Sequence, residues 1–478
     1  MIVFLDHEGD VERRSLGNKG ARLIEMKRAG LRVPDGFILT TEACRHYFQA
    51  GRTLTSDLKE RLLTALCELE RRTGKRLGDP QAPLLLAIRS GAPVSMPGMM
   101  DTLLNVGLQD EVVQGLADRT GDCEFALDCQ SRFQEAYGEL VAPEIPDDPI
   151  EQLLQAVSSV FASWNGRRAA VYRQVNRIPD DLGTAVIVQE MVFGNWGERS
   201  GSGVVFSRHP ASGERELFGE VMLRAQGEAV VAGKRTPSDI SCLQQQLPDV
   251  YEELSAVATR LEEHDKDMQE IEFTFERGTL YLLQSRVGER TALAAVKIAV
   301  DLCQAGVIDR QTALQRVGWE SLQSLLQPEL DPNVDAVPLV VGLPVVPGAV
   351  CGEIALDRER AIERSAGGHP VLLIRRETDP NDYEAMLHAN GILTAFGGMT
   401  SHAAVTARPL GKPCIVGCAN LAIDLLSRQI EIAGRTFREG EWLTLDGTTG
   451  RVFAGRLPLV APELPVEVET FRSWRSAR

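Results

Sequence analysis

The sequence predicts an α+β fold, and three observations predict it. Short apolar runs of strand length, such as residues 84–88 and 185–192, are interspersed with stretches of helical period. Those strands and helices do not alternate with the regularity of βαβ units, which argues against a doubly wound sheet. With 478 residues and 44% hydrophobic content, the chain has material for roughly three packed domains.

Taken in order, residues 18–29 read as a helix ended by Gly30, residues 37–40 as a strand, and Thr41 as the start of a helix through Tyr47. The apolar run 84–88 delivers Arg89 at a strand end, and strands at 185–192 and 203–207 flank a glycine-rich turn. Residues 268–275 and 279–286 read as a hairpin. A helix over 290–304 and a second helical stretch to about Leu326 precede five prolines between Pro328 and Pro347, a composition expected of an extended linker. Short strands at 371–374 and 391–395 and a helix at 403–408 make a small α/β domain to about Gly455, and residues 456–478 read as a tail with little periodicity. The boundaries follow as 1–289, a helical and proline-rich linker at 290–340, a small domain at 341–455, and the tail at 456–478.

The formal net charge of −16 argues against nucleic acid or an anionic membrane as partner. No apolar run approaches the ~18 residues that span a bilayer. The acidic start MIVFLDHEGD does not read as a signal peptide, and nine cysteines without a C-x-x-C read as reduced thiols, so a cytoplasmic protein is expected.

The most informative stretch is Gly397-Gly398-Met399-Thr400-Ser401-His402-Ala403-Ala404. It sets one histidine where a strand meets a helix, with two glycines for a tight backbone and two hydroxyls able to cap the helix. Free N–H groups at a helix start favour an anion by roughly 0.3–1 kcal/mol, and a neutral imidazole can accept a phosphoryl group. An ordinary capped-turn histidine is the plainer alternative. Neither G-x-x-x-x-G-K-[ST] nor G-x-G-x-x-G occurs, so phosphate binding must come from dispersed residues. Lys19 follows Gly17-Asn18 at a helix start, and the planar fork of Arg89 suits bidentate phosphate contacts. On the hairpin, Glu270 and Glu272 lie two apart on one strand, and Gln284 and Arg286 two apart on the other. A three-residue loop would gather all four on one face, and a two-residue loop would put the pairs on opposite faces. Such a group can hold Mg²⁺ beside phosphates, or form a solvated face with a cross-strand ion pair.

GGMTSHAAVTARPLGKPCIVGC (Gly397–Cys418) resembles the phosphohistidine motif of the pyruvate, phosphate dikinase family. So do LGNKGARLIEMKRAGLRVPDGFILTTEAC near the start, IRSGAPVSMPGMMDTLLNVGL from Ile88, MVFGNWGERSGSGVVFSRHPASGE from Met191, AQGEAVVAGKRTP from Ala225 and MQEIEFTFERGTLYLLQSR from Met268. Six long matches in the family's order span almost the whole chain. The resemblance is to the dikinase rather than to phosphoenolpyruvate synthase, which normally has a different arginine loop and a Cys before its histidine.

The resemblance implies an ATP-grasp domain joined to a swivelling phosphohistidine domain. It implies that His402 takes the β-phosphoryl group of Mg·ATP with release of AMP, that inorganic phosphate accepts the γ-phosphoryl group, and that phosphohistidine remains. ATP binding is implied for Lys19, Arg89, Gln189, Met191, Glu228, Gln284 and Arg286, and Mg²⁺ binding for Glu270 and Glu272. Thr400 matches a position that regulatory kinases phosphorylate in some members. Three departures stand out. The C-terminal phosphoenolpyruvate/pyruvate barrel is absent, so a separate subunit or another acceptor is expected. The helical segment after the first third is shortened to YGELVAPEIPDDP. Glu270 stands where the family usually has Asp, and Phe396 where it usually has Arg. Besides the dikinase reading stand a kinase acting on a small molecule or partner protein through phospho-His402, and an inactive ATP-binding regulator.

Overall fold

The computed structural model describes residues 1–96, 98–227, 237–318, 328–461 and 464–476. The chain divides into two compact units: residues 1–202, 223–226 and 272–285 form the first, and 203–222, 227–271 and 286–478 the second. Mixed helices and sheets confirm the α+β class.

In the first unit, a five-stranded sheet runs in the order Ile2–Phe4, Gly36–Leu39, Ala185–Glu190, Leu86–Gly91, Thr102–Val106, with every neighbouring pair antiparallel. One face carries Phe37, Leu39, Val186, Val188 and Ile88 into a large core shared with the helices Thr41–Gln49, Ser56–Thr73, Asp110–Thr120, Cys123–Leu140 and Pro149–Ser163. These helices begin and end where local chemistry dictates. Thr55, Asp122 and Asp148 cap three of them through side-chain oxygens, and Gly74 and Gly121 close two in the left-handed conformation.

The opposite face meets the helix Arg13–Arg28, which breaks at Gly17 (φ 69°, ψ 161°). A side chain there would be strained and would also collide with Gly91, since a Cβ on Gly17 would lie 1.7 Å from the Gly91 carbonyl oxygen. The regular helix therefore restarts at Asn18, the start read from the sequence.

A second five-stranded sheet has the order Thr279–Val287, Gln269–Glu276, Gly201–Phe206, Phe218–Leu223, Ser238–Asp239. The loop of its hairpin is the two-residue Arg277-Gly278, both at positive φ (51° and 85°), as a type I′ turn demands. Sequence reasoning had a two-residue loop put the carboxylates and the Gln284/Arg286 pair on opposite faces. Burial along the second strand alternates through Leu280 and Leu282, then slips by one at Leu283 and Gln284 before Ser285 is buried again. Near the end of that strand, Arg286 reaches Glu270.

The second unit is built on an eight-stranded sheet: Val340–Val341, Arg451–Ala454, Trp442–Asp446, Ala349–Ala355, Val371–Arg375, Gly391–Thr394, Cys414–Val416, Leu343–Val346. The run from Ala349–Ala355 to Cys414–Val416 is parallel, and the outer strands are antiparallel. Helices Arg358–Ala366, Tyr383–His388 and His402–Leu410 contribute Ala361, Met386, Ala404 and Ala407 to the core on one face. Ile430, Ile432 and Phe437, from a three-stranded antiparallel sheet, cover the other.

Two expectations are corrected here. The proline-rich stretch is no free extended linker, because Val340–Val341 and Leu343–Val346 are edge strands of the large sheet, a position that tolerates Pro344. The tail contains the helix Val466–Ser476, whose Phe471 is wholly buried against the helix Ala292–Gln304 in a core with Val296, Ile298 and Leu302. Its few apolar residues gain burial only from that partner, which local periodicity does not show. The second helical stretch is seen as Arg310–Arg316, and its expected continuation to Leu326 falls outside the described residues. Among the described residues no helix is long and apolar enough to cross a membrane.

Candidate functional site

In the first unit, strand register positions Arg89. Arg89 lies opposite Ile187, and Ile187 opposite Ile38, so its side chain leaves the sheet on the face away from the large core. The guanidinium is 8% exposed and fully engaged at one end: Nη2 donates to Glu272 Oε2 at 3.0 Å and Nη1 to the Leu283 carbonyl at 2.9 Å. Lys19 starts the helical run after the Gly17 break. The Asn18 N–H donates to the Ala92 carbonyl at 2.9 Å, and Gly91 comes close enough that a Cβ there would touch the Lys19 stem at 3.7 Å. Two cations distant in sequence thus sit on segments joined beside one strand end. Gln284 adds a buried amide oxygen, Oε1, with no hydrogen-bond partner.

Gln189 and Met191 lie at and just beyond the end of the strand Ala185–Glu190. Gln189 is 1% exposed and its amide donates to the Pro34 carbonyl, while Met191 belongs to the large core and its N–H donates to the Leu85 carbonyl. Both are committed to holding the strand Ala185–Glu190 in place. Glu228 falls outside the described residues.

In the second unit, Glu270 is 5% exposed. Its Oε1 accepts from Arg286 Nη2 at 2.7 Å, while Oε2 is buried without a partner. The orphaned carboxylate oxygen of Glu270 is a hard donor of the kind a Mg²⁺ ion prefers. No group of three or more His, Cys, Asp or Glu able to hold a metal occurs among the described residues. A lone carboxylate fits Mg²⁺, which is held by one or two carboxylates and keeps waters and substrate phosphates in its shell.

His402 opens the helix His402–Leu410, directly after the parallel strand Gly391–Thr394 and its loop. Nδ1 lies 3.1 Å from Thr378 Oγ1, and Nε2 3.5 Å from Thr406 Oγ1. Burial pushes the imidazole pKa below its usual value, against the opposing pull of Asp382 and Asp379. The ring is therefore neutral near pH 7. With its proton on Nδ1, donated to Thr378, the lone pair of Nε2 is available to a phosphorus atom.

Neither hydroxyl acts as the cap the sequence suggested. Ser401 occupies the N-cap position without a side-chain hydrogen bond, and its Oγ is buried and unpartnered. Thr400 Oγ1 instead donates to Glu220 Oε2 at 3.1 Å, and the Met399 N–H donates to Glu220 Oε1 at 2.5 Å. Glu220 is 4% exposed; burial raises its pKa, and these two hydrogen bonds and Arg408 pull it back. The glycine pair now has separate causes. Gly397 has a φ of 107°, and a Cβ on Gly398 would lie 2.2 Å from Glu220 Oε1. Arg408, 1% exposed, donates to the Met399 carbonyl and stacks on Phe206 at 5.1 Å, and burial lowers its pKa to about 10, so it stays charged.

Sequence reasoning missed Glu220, Thr378 and Arg408. Glu220 lies in an unremarkable strand 180 residues from Thr400, and only the double glycine hinted that something approaches the loop. Phe396 is 40% exposed, with the Arg376 guanidinium 5.1 Å from its ring.

Comparison with known proteins identifies the family. The family model for the pyruvate phosphate dikinase AMP/ATP-binding domain matches residues 13–64 and 52–252, and that for the PEP-utilising enzyme mobile domain matches 367–450. The chain is 41% identical to pyruvate, phosphate dikinase of Clostridium symbiosum over 99% of its own length and 60% of that protein. It is 45% identical to the chloroplastic pyruvate, phosphate dikinase 1 of Oryza sativa subsp. japonica, over 96% of its own length and 54% of that protein. It is 40% identical to pyruvate, phosphate dikinase of Rickettsia conorii, over 96% and 58%. The chain thus spans little more than half the length of these curated relatives. With one matched domain bearing the Arg89 strand and the other the His402 loop, the chain belongs to the pyruvate phosphate dikinase family.

Proposed function

We propose that this chain carries out the ATP- and phosphate-dependent half of a dikinase reaction. The observation that carries the reading is the half-buried, neutral imidazole of His402, beside Thr378 at a helix start that no side chain caps. In this reading, residues 1–289 are an ATP-grasp domain, 290–340 a connection, 341–455 a swivelling phosphohistidine domain and 456–478 a tail. The Nε2 lone pair attacks the β-phosphorus of ATP. The bond from that phosphorus to the bridging oxygen of AMP breaks, and AMP leaves with the oxygen. Inorganic phosphate then takes the γ-phosphoryl group as pyrophosphate, and the β-phosphoryl group stays on His402.

Lys19, Arg89 and Arg286 balance the charge of the phosphates. Arg89 and Arg286 exchange their present carboxylate partners for phosphate oxygens as nucleotide binds. Gln189 and Met191 serve ATP by fixing the purine-side strand, and Glu228 by contacting the nucleotide. Glu270 and Glu272, with Gln284, would hold Mg²⁺, which supplies Lewis-acid polarisation of the phosphates when bound. Glu270 keeps the carboxylate that the family's Asp provides, one methylene further out. Arg376, stacked on Phe396, keeps a guanidinium beside the position where the family usually has Arg. Both observations favour an active enzyme over an inactive regulator. A phosphate on Thr400 would be incompatible with its hydrogen bond to Glu220 and would repel incoming phosphates. The final acceptor is pyruvate held by a separate barrel-bearing subunit or barrel segment.

Nucleotide chromatography after a single-turnover incubation with ATP, phosphate and Mg²⁺ tests the proposal. AMP, together with acid-labile, base-stable phosphate on His402, is expected. ADP as the only product would replace the dikinase reading with that of an ordinary kinase.

A further inference from the structure

A second chemical feature lies at the far end of the sheet that carries His402. The strands Val371–Arg375, Gly391–Thr394 and Cys414–Val416 are parallel, and the His402 loop and Thr378 follow their C-terminal ends. Pro370, Asn390 and Lys412 precede their N-terminal ends, and all three line a cavity of about 660 Å³. Four strand residues at ~3.3 Å each separate the two ends by on the order of 13 Å. Nothing in the phosphoryl-transfer reading uses this cavity, and its volume falls in the range of small-molecule sites, roughly 300–1,000 Å³.

Its lining is chemically one-sided. Lys412 and Arg456 are cationic, and among the described residues no acidic side chain contributes to the wall. Lys412 Nζ donates to the carbonyls of Leu387 and Ala389, which uses two of its three hydrogens. Burial lowers its pKa, the mark of an ammonium partly stripped of water. Arg456 lies over the Trp442 ring at 5.2 Å, which holds its planar group at the wall. The Asn390 amide oxygen accepts from the Val371 N–H, leaving its NH₂ as the part able to meet a ligand. Val350, Leu410 and Leu457 supply apolar surface.

We propose that this cavity binds a small organic anion with a flat apolar body, its carboxylate or phosphate held by Lys412 and Arg456 and its ring laid on Val350, Leu410 and Leu457. Two cations without a countercharge favour the anionic group, and the apolar wall excludes a bare inorganic ion as the best occupant. The inference is independent of the phosphohistidine chemistry.

Isothermal titration calorimetry of the whole chain with 2-naphthoate and with 1-naphthyl phosphate, each alone and with saturating non-hydrolysable ATP analogue, tests it. Saturable binding of at least one probe in both conditions is expected, and the tighter probe tells whether the natural anion is a carboxylate or a phosphate. Arg456→Ala, an exposed position that folding tolerates, should weaken that probe at least tenfold and leave binding of the ATP analogue unchanged. Lys412→Met should do the same. No saturable heat with either probe at millimolar concentration, or equal affinity in Arg456→Ala and the parent, would overturn the proposal. So would complete displacement by the ATP analogue.

Discussion

The charged hairpin and the His402 loop solve opposite problems. On the hairpin, charges meet charges: Glu270 is paired with Arg286, and Glu272 with Arg89. These groups must trade partners before a nucleotide can use them. On the loop, polar groups are neutral or held by backbone: His402 is uncharged, Ser401 Oγ is unpartnered, and Glu220 binds a backbone N–H and a hydroxyl. In the proposed reaction the loop would act in the arrangement it already has, whereas the hairpin would first release its ion pairs. Half-buried ion pairs suit that role, since their net contribution to stability is small.

Five substitutions and a pH series sharpen or break that contrast. The largest effect belongs to His402→Ala, which should abolish base-stable labelling from ATP while nucleotide affinity stays within a few-fold. Labelling that persisted would place the phosphate elsewhere. Arg89→Leu should slow AMP formation on the order of 100-fold, the usual scale for losing one fixed donor to a developing phosphate charge. A variant with normal single-turnover rate would show Arg89 to be only a structural partner of Glu272.

Gly398→Ala drives a Cβ into the Glu220 carboxylate and should cost about 1–3 kcal/mol in denaturant unfolding, as overpacking does. Combined with Glu220→Ala it should cost clearly less than the two single changes added, and strict additivity would deny the contact. Thr378→Val removes the oxygen facing Nδ1 while keeping the shape of the side chain. Its labelling rate should fall up to about tenfold, the worth of one hydrogen bond, with AMP affinity unmoved.

The smallest effect concerns pH. Burial holds the folded pKa of His402 below the ordinary imidazole value of 6.5, so more than half of it is neutral at pH 6.5. The single-turnover labelling rate at that pH should exceed half its plateau, where an ordinary imidazole would give half. The linked stability has the matching sign. The folded state binds the proton less readily than the unfolded chain, so this contribution is complete above pH 6.5 and is lost as pH falls toward the lower folded value. A profile with its midpoint above pH 6.5 would contradict the burial argument.

Much of the site could be read in the sequence because the residues that do chemistry are rare and placed by local rules. Gly17 announced the helix restart that presents Lys19, since only a residue without a side chain tolerates its backbone angles and the nearness of Gly91. The histidine between strand and helix was visible in the same way, whereas Arg89, expected at a strand end, lies inside the strand Leu86–Gly91, which cross-strand pairing with Ala185–Glu190 carries on to Gly91. Caps were not. Thr400 and Ser401 had the right chemistry and position, but Glu220 claimed the threonine, and no local pattern reports a carboxylate arriving from another strand. The side-chain partners of Gln189 and Met191 were not legible either, because a strand's side chains are assigned by the neighbours above and beneath the sheet.

The sequence by itself determined the α+β class, the family, the histidine, the cations and the paired carboxylates. These rest on residue type, spacing and backbone freedom, all of which act over a few residues. The tertiary structure alone decided which carboxylate meets which arginine: Glu270 pairs with Arg286, and Glu272 with Arg89. It also decided that the tail forms a helix around Phe471 and that the proline-rich stretch supplies edge strands. It brought Lys412 and Arg456 to one cavity. Each depends on surface buried between segments far apart in the chain, and that burial exists only once the whole fold is assembled.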